Sequence, residues 1–161
     1  MFVQITSYIA NYGYLALFCI IVFMELGVPG LPNEVVLFYF GYACRKAGLF
    51  FPAVLGTGVV ADITGSLLLY FLFFYGSNRL MRFKPKWLRL PFQKIDRLTQ
   101  KIVLHRGRNL FFAKMTPFIR GYVAVVAGLL RISPILYGWT TLLTAICWTG
   151  GWLTIGWLLA S

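Results

Sequence analysis

The chain has 161 residues, of which 60% are hydrophobic and 12% charged, and it carries 15 lysines and arginines against 4 aspartates and glutamates. A soluble domain is about half apolar and about a quarter charged, so this composition argues against a soluble enzyme and for a protein whose solvent is the bilayer. The single histidine and the odd, widely spaced cysteines (Cys19, Cys44 and Cys147) argue against a metal, a cofactor or a disulfide framework. We expect these cysteines to be buried as small apolar side chains.

The first predicted element is a hairpin around the stretch GVPGLPNE, residues 27–34. Residues 1–24 carry no charge, begin without a basic residue and lack a small-residue cleavage pattern, so we expect them to stay in the protein. Prolines and glycines then break the helix beside Glu25. We predict a re-entrant helical hairpin over about 14–44. In the alternative, 2–24 is a full transmembrane span.

Two long apolar runs predict transmembrane helices. Residues 47–78 carry a single charge, Asp62, and residues 132–161 carry none. Each run exceeds the roughly 20 residues that a helix needs to cross the hydrocarbon core. We therefore predict spanning helices over about 49–76 and about 134–159.

The segment after the first spanning helix is strongly basic. Residues 79–108 hold ten of the 15 lysines and arginines, opposed by Asp96. A short basic loop beside membrane spans stays on the cytoplasmic side, where it meets anionic head groups rather than nucleic acid. Within the loop, Ile95, Leu98 and Ile102 recur at helical spacing, which predicts an amphipathic helix in the interface.

A second break follows the basic segment. Around TPFIRG, residues 116–121, the side chains of Lys114, Pro117 and Arg120 interrupt an apolar run and predict a second re-entrant hairpin over about 109–130. Irregular backbone at membrane depth is tolerated only when it is buried in protein or lines a wet cavity. We therefore expect a polar cavity near the midplane.

The predicted fold class is an all-α integral membrane protein with a single membrane domain, residues 1–161. Its halves, 1–78 and 109–161, each contain a re-entrant helical hairpin followed by a transmembrane helix. The basic cytoplasmic amphipathic segment 79–108 joins them, so the halves run in opposite directions and form an inverted repeat, as in many transporters. Chance similarity between apolar sequences is the alternative explanation.

Five ionisable side chains fall in the apolar regions. An unpaired charge at the bilayer centre costs roughly 2.5–3.5 kcal/mol on insertion scales, so these side chains must be paired, hydrated or protonated. We expect Lys114 and Arg120 to bind an anion such as phosphate, which suits the arginine fork. Glu25, Glu34 and Asp62 are expected to balance the cations, and one carboxylate to carry a proton. Two alternatives stay open: purely structural salt bridges, and, for Asp62, capping of a partner's backbone.

These residues favour a transporter over an enzyme. No GxSxG or HExxH motif occurs, and no base evidently activates a hydroxyl. The alternatives are a proton-coupled transporter of small ions, a non-transporting membrane scaffold, and a lipid phosphatase or transferase that uses the carboxylates.

The same residues resemble motifs of the DedA family of membrane proteins, which is related to eukaryotic VTT-domain scramblases. The second break resembles the family's F-x-R-x-x-P-x-x-R, carried here by Phe112, Lys114, Pro117 and Arg120. The first break resembles E-x-x-x-P-x-x-P-G-[DE], carried here by Glu25, Pro29, Pro32 and Glu34. Ala61-Asp62 resembles a glycine-aspartate element. The chain departs from the pattern where Lys114 replaces the usual arginine and Asn33 the usual glycine.

The resemblance implies two facing hairpins and an anionic lipid substrate. It implies a multi-pass protein of the bacterial cytoplasmic (inner) membrane, acting as a flippase for a polyprenyl phosphate carrier such as undecaprenyl phosphate. Lys114 and Arg120 would then hold the phosphate. Movement of a phospholipid by a flippase or scramblase is the alternative within the family. The oligomeric state, including a homodimer, is left open.

Overall fold

The computed structural model of the protein describes residues 2–26, 32–83, 106–117 and 119–160. Within these ranges the chain forms helices joined by short turns and has no strand. The helices are α1 (Phe2–Glu25), α2 (Asn33–Lys46), α3 (Phe51–Phe83), α4 (Arg106–Lys114), α5 (Arg120–Leu129) and α6 (Pro134–Leu159).

Helices α3 and α6 agree with the two predicted spans. Residues 51–76 of α3 and 134–159 of α6 are long and apolar enough to cross a membrane, by length and composition. Helix α3 continues to Phe83, into the predicted basic segment 79–108. The predicted interfacial amphipathic helix, centred on 94–103, lies outside the described residues.

The first break falls where it was predicted, but the helix before it is longer than the predicted hairpin arm. Helix α1 is continuous from Phe2 to Glu25, as in the alternative of a full-length helix, rather than beginning near residue 14. No proline interrupts the sequence before Glu25, so nothing there ends a helix. Helix α2 then begins directly after Pro32, whose ring cannot donate a backbone hydrogen bond.

The second break in the helical structure lies at the TPFIRG stretch. Helix α4 ends at Lys114, and α5 begins at Arg120. Between them, Pro117 lies in a turn. This helix–turn–helix unit places one cation at the last residue of α4 and the other at the first residue of α5.

The short helices pack on the two long helices in a crossed arrangement. Helix α1 packs on α3, the long helix of its own half, and α4 packs on α6 in the same way. Helix α2 instead packs on α6, and α5 on α3. Helices α3 and α6 also contact each other, so the two halves of the chain pack together through both their short and their long helices.

Two apolar cores result, one around each pair of short helices. Helices α4 and α5 form one core with Leu69, Tyr70 and Phe73 of α3 and with Tyr137 at the start of α6. Helices α1 and α2 form the other with residues nearer the start of α3 and the end of α6. Most of the buried polar residues of α3 and α6 lie between these cores along their helices: Asp62, Ser66, Thr140, Thr141 and Thr144.

Helices α2 and α6 approach so closely that two glycines are needed where they cross. A Cβ atom on Gly41 would overlap the carbonyl oxygen of Leu153, and a Cβ atom on Gly156 would overlap the carbonyl oxygen of Phe38. Small residues of this kind let membrane helices pack backbone against backbone.

A third glycine has the same function where α5 crosses α3. A Cβ atom on Gly128 would lie 2.6 Å from the carbonyl oxygen of Tyr70. Gly41 and Gly128 occupy the same position in their helices, since each lies eight residues after the first residue (33 to 41, and 120 to 128).

The cysteines differ from their prediction. All three are free thiols, and Cys44 is buried, but Cys19 and Cys147 are exposed on α1 and α6. Burial inside the protein was the wrong expectation for these two. In an apolar chain of this kind, a small apolar side chain need not face the interior because lipid is also an apolar solvent.

We predict that Gly156→Ala destabilises the protein by about 1–3 kcal/mol or more, because the new methyl group collides with the backbone of α2. Gly151→Ala is the matched control on the same helix, since a Cβ atom there meets nothing within 4 Å. Thermal unfolding in detergent measures both variants. Equal unfolding temperatures for the two would contradict the close crossing.

Candidate anion site between the two apolar cores

Buried polar side chains cluster near the middle of both long helices. Asp62 and Ser66 of α3 are 1% and 0% exposed, and Thr141 and Thr144 of α6 are equally buried. Both pairs lie in the part of their helix that separates the two apolar cores. Three further charged side chains come from the end of α1, the end of α4 and the start of α5: Glu25, Lys114 and Arg120.

Arg120 binds both buried carboxylates. Its Nη2 lies 3.1 Å from Oε1 of Glu25 and also pairs with Oδ2 of Asp62. All three side chains are at least nine-tenths buried. Three helices, α1, α3 and α5, are therefore joined at one guanidinium nitrogen.

Lys114 is bound by hydroxyls instead. Its Nζ donates to Oγ of Ser66 at 2.9 Å and to Oγ1 of Thr141 at 3.1 Å. It also lies 5.3 Å from the centre of the Tyr137 ring. Within the described parts of the chain it forms no ion pair, although it is only 1% exposed.

Ser66 connects the lysine to the carboxylates. Its hydroxyl donates to Oε2 of Glu25 at 2.9 Å and lies 3.5 Å from Oδ1 of Asp62. A hydrogen-bonded chain therefore runs from Lys114 through Ser66 to Glu25. Asn33, the first residue of α2, adds a weaker bond from Nδ2 to Oε1 of Glu25 at 3.4 Å.

The four charges of this cluster balance. Two carboxylates face two cations, so the cluster is neutral when all four groups are ionised. Removing charges from water is costly, and even well-made buried ion pairs often contribute no net stability. Neutrality therefore explains how the cluster is tolerated, but not what it is for.

Several N–H groups in the cluster have no acceptor. Nε and Nη1 of Arg120 and Nε1 of Trp148 are buried and unpartnered among the described residues. The Arg120 guanidinium lies over the Trp148 ring, 5.1 Å from its centre. A cationic group with spare donors in a buried position has the chemistry of an anion site.

The structure brings together four of the five ionisable residues singled out from the sequence: Glu25, Asp62, Lys114 and Arg120. Glu34 lies outside the bonded cluster. It is the second residue of α2, half-buried, and the described residues provide it with no ion pair. Glu34 follows Asn33 in α2, and it is the Asn33 side chain that contacts Glu25.

The hydroxyls and the indole were not predicted as site residues. Ser66 follows Asp62 by four residues, which places both on one helix face, and Thr141 and Trp148 are related by seven residues in the same way. This helical periodicity was the signal by which the sequence could have identified them.

Among the described residues, no group of three or more histidines, cysteines or acids is placed to hold a metal ion.

Comparison with known proteins gives one family and several distant relatives. The family model described as the VTT domain matches residues 31–158. Undecaprenyl phosphate transporter A of Staphylococcus aureus is 25% identical over 156 residues, which cover 94% of this chain and 76% of that protein. The Bacillus subtilis protein of the same name is 23% identical over 146 residues, which cover 91% and 71%.

A third relative carries a different name. An alkaline phosphatase-like protein of Lactococcus lactis is 28% identical over 124 residues, which cover 73% of this chain and 57% of that protein. No solved structure matches the chain.

We predict that Arg120→Gln lowers the free energy of unfolding by about 3–5 kcal/mol, because Glu25 and Asp62 are left buried without their cation. Adding Asp62→Asn should recover part of this loss, since it removes one of the two carboxylates that Arg120 bound and returns the cluster to neutrality. Arg108→Gln is the control, because Arg108 is exposed. Chemical unfolding in detergent measures all three. Additive effects of the two substitutions would show that the side chains do not interact.

Proposed function

The chain belongs to the VTT-domain family, also called the DedA family, and is a membrane protein; on that premise we propose that it carries a polyprenyl phosphate across a membrane. Undecaprenyl phosphate is the proposed substrate, and the cytoplasmic membrane of a bacterium the proposed location. The observation that carries the proposal is the buried Arg120, whose unpartnered N–H groups lie beside a second cation, Lys114. The names of two relatives support the same lipid.

A phosphate can bind two adjacent N–H groups of this guanidinium side by side only by exchange with a carboxylate. A guanidinium can hold two oxygens side by side on its Nη1–Nη2 edge or on its Nε–Nη2 edge. Both edges include Nη2, which contacts Glu25 and Asp62. We therefore propose that the arriving phosphate displaces one carboxylate from Nη2 and uses the free N–H groups at Nε or Nη1.

The displaced carboxylate gives a route to proton coupling. The cluster is neutral before the phosphate arrives, so the anion adds uncompensated negative charge to a buried site. A carboxylate that loses its cation in such a place takes up a proton readily. We propose Glu25 and Asp62 for this role, and the half-buried Glu34 as the carboxylate through which the proton enters.

We propose that α1–α2 and α4–α5 are two helical hairpins that enter from opposite sides of the membrane, the first with a longer arm than the sequence predicted because α1 begins at Phe2. Each pair of short helices has its own apolar core, and the cores occupy opposite parts of α3 and α6. The ends of α1 and α4 meet between the cores, where the charges lie. The crossed packing and the equivalent glycines, Gly41 and Gly128, support an inverted repeat of 1–78 and 109–161.

This arrangement suits a lipid whose head is charged and whose tail is not. The phosphate would enter the polar layer between the cores, while the polyprenyl tail stays in lipid. The proposed partners are therefore the anionic lipid and the membrane, with no nucleic acid. A homodimer is compatible with the apolar exposed faces of the long helices, which face lipid or a second copy.

We propose no enzymatic step. The hydrogen bond between Lys114 and Ser66 resembles a serine–lysine pair, and one relative is named as phosphatase-like. In this cluster, however, the Ser66 proton is directed to Glu25, and the lysine donates to the serine rather than accepting from it. Release of inorganic phosphate from the lipid would contradict this part of the proposal.

We predict that Arg120→Lys slows the movement of fluorescent polyprenyl phosphate across liposomes by about tenfold or more. The substitution keeps the charge but removes the fork, and a hydrogen bond to a charged group contributes about 1.5–3 kcal/mol. Exposed Arg108→Gln should move the lipid at the wild-type rate. A labelled phosphatidylglycerol and a labelled polyprenol serve as competing substrates.

An unchanged rate in Arg120→Lys would overturn the phosphate assignment. Faster movement of the phospholipid than of polyprenyl phosphate would favour the phospholipid alternative. Substrate-independent ion currents in the same liposomes would favour a small-ion transporter.

We also predict that a pH gradient across the liposomes, acidic on the side from which the lipid departs, accelerates transport by wild-type protein. Glu25→Gln or Asp62→Asn should abolish this acceleration while leaving slow exchange at equal pH, because the variant cannot take up the proton. Glu34→Gln should weaken the response without abolishing it. The comparison of rates with and without the gradient measures the effect, and full acceleration in both buried variants would exclude carboxylate coupling.

A further inference from the structure

We infer that Trp148 is a further phosphate-binding residue of this site, donating its indole N–H to the anion that Arg120 holds. The inference rests on the proposed function and adds a side chain from a different helix. It assigns α6 a direct part in recognising the head group, beside the hydroxyl of Thr141 that binds Lys114.

The indole N–H of Trp148 is an unused hydrogen-bond donor. Trp148 is 7% exposed, and its Nε1 is buried with no acceptor among the described residues. A buried N–H without an acceptor is costly, and buried indoles usually find one. A phenylalanine would supply an aromatic core side chain without that cost.

Trp148 lies beside the cation proposed to hold the phosphate. The Arg120 guanidinium lies over the Trp148 ring, 5.1 Å from its centre, so the two side chains form a cation–π pair. Nε and Nη1 of Arg120 are also unpartnered donors. Two donor-bearing groups this close together in a buried place can both donate to one acceptor that lies beside them.

A phosphate has the chemistry to use both groups at once. It carries several acceptor oxygens, so one oxygen can accept from the guanidinium and another from the indole. An indole donor adds no charge, so it strengthens binding without disturbing the balance of two carboxylates and two cations. It also selects an anion, because a cationic head group has no acceptor to offer it and is repelled by Arg120.

Trp148→Phe tests the inference by removing the N–H while keeping an aromatic ring. We expect the affinity for detergent-solubilised polyprenyl phosphate, measured by calorimetry, to fall about tenfold or more. Trp152→Phe is the matched control, since Trp152 lies one turn along α6 and contacts the Trp148 ring edge-to-face at 6.1 Å. It should change the affinity by less than about twofold.

The wild-type protein gives a second readout that does not depend on the folding of a variant. In protein labelled with ¹⁵N at the tryptophan indoles, addition of polyprenyl phosphate should shift the Trp148 N–H resonance downfield, whereas polyprenol should not shift it.

A closer replacement of the indole gives a further check. Protein with benzothienylalanine at position 148, in which sulfur takes the place of the N–H, should bind polyprenyl phosphate as weakly as Trp148→Phe.

Each outcome decides the matter. Equal loss of affinity in Trp148→Phe and Trp152→Phe, or a Trp148 resonance that ignores the phosphate, overturns the inference. If wild-type protein binds and transports the lipid in those cases, the proposed function stands without Trp148. If wild-type protein binds no polyprenyl phosphate, both proposals fall together.

Discussion

The ion pairing of Arg120 with Glu25 and Asp62 is the interaction on which the rest of the structure depends. The three side chains come from three helices and are almost fully buried, so none can leave without stranding a charge. Lys114 completes the balance through hydroxyls rather than through a carboxylate. Because Arg120 directs both of its acids to one nitrogen, it keeps other donors free, and a structural clamp would have little reason to do so.

Prolines in the breaks and glycines at the helix crossings bring these charges together. Breaks that contain prolines, Pro32 in the first and Pro117 in the second, separate the short helices, and Glu25, Lys114 and Arg120 are the helix-terminal residues beside these breaks. Glycines then allow the second short helix of each half to cross the long helix of the other half at backbone contact. The apolar cores on either side leave a polar layer between them, which suits a charged head group with an apolar tail.

Much of this could be predicted from the sequence because the signals are local. The absence of charge over residues 132–161 predicts α6, and the TPFIRG stretch predicts the break between α4 and α5. The start of α1 was missed because an uninterrupted apolar run does not show where a hairpin arm would begin. Helical periodicity could have added Ser66 and Trp148, whereas the separation of Glu34 from the cluster and the recruitment of Asn33 depend on how α2 packs. That packing is a tertiary property which no single-helix period contains.

The contact between the phosphate of the lipid and Arg120 can be measured in the wild-type protein. Solid-state NMR can measure dipolar coupling between ³¹P of polyprenyl phosphate and ¹⁵N of labelled arginine side chains, in a phosphorus-free detergent or lipid. If Arg120 holds the phosphate, we expect a coupling at hydrogen-bond distance that disappears in Arg120→Lys and persists in Arg108→Gln. A coupling that survives the loss of Arg120, or that comes only from exposed arginines, would contradict it.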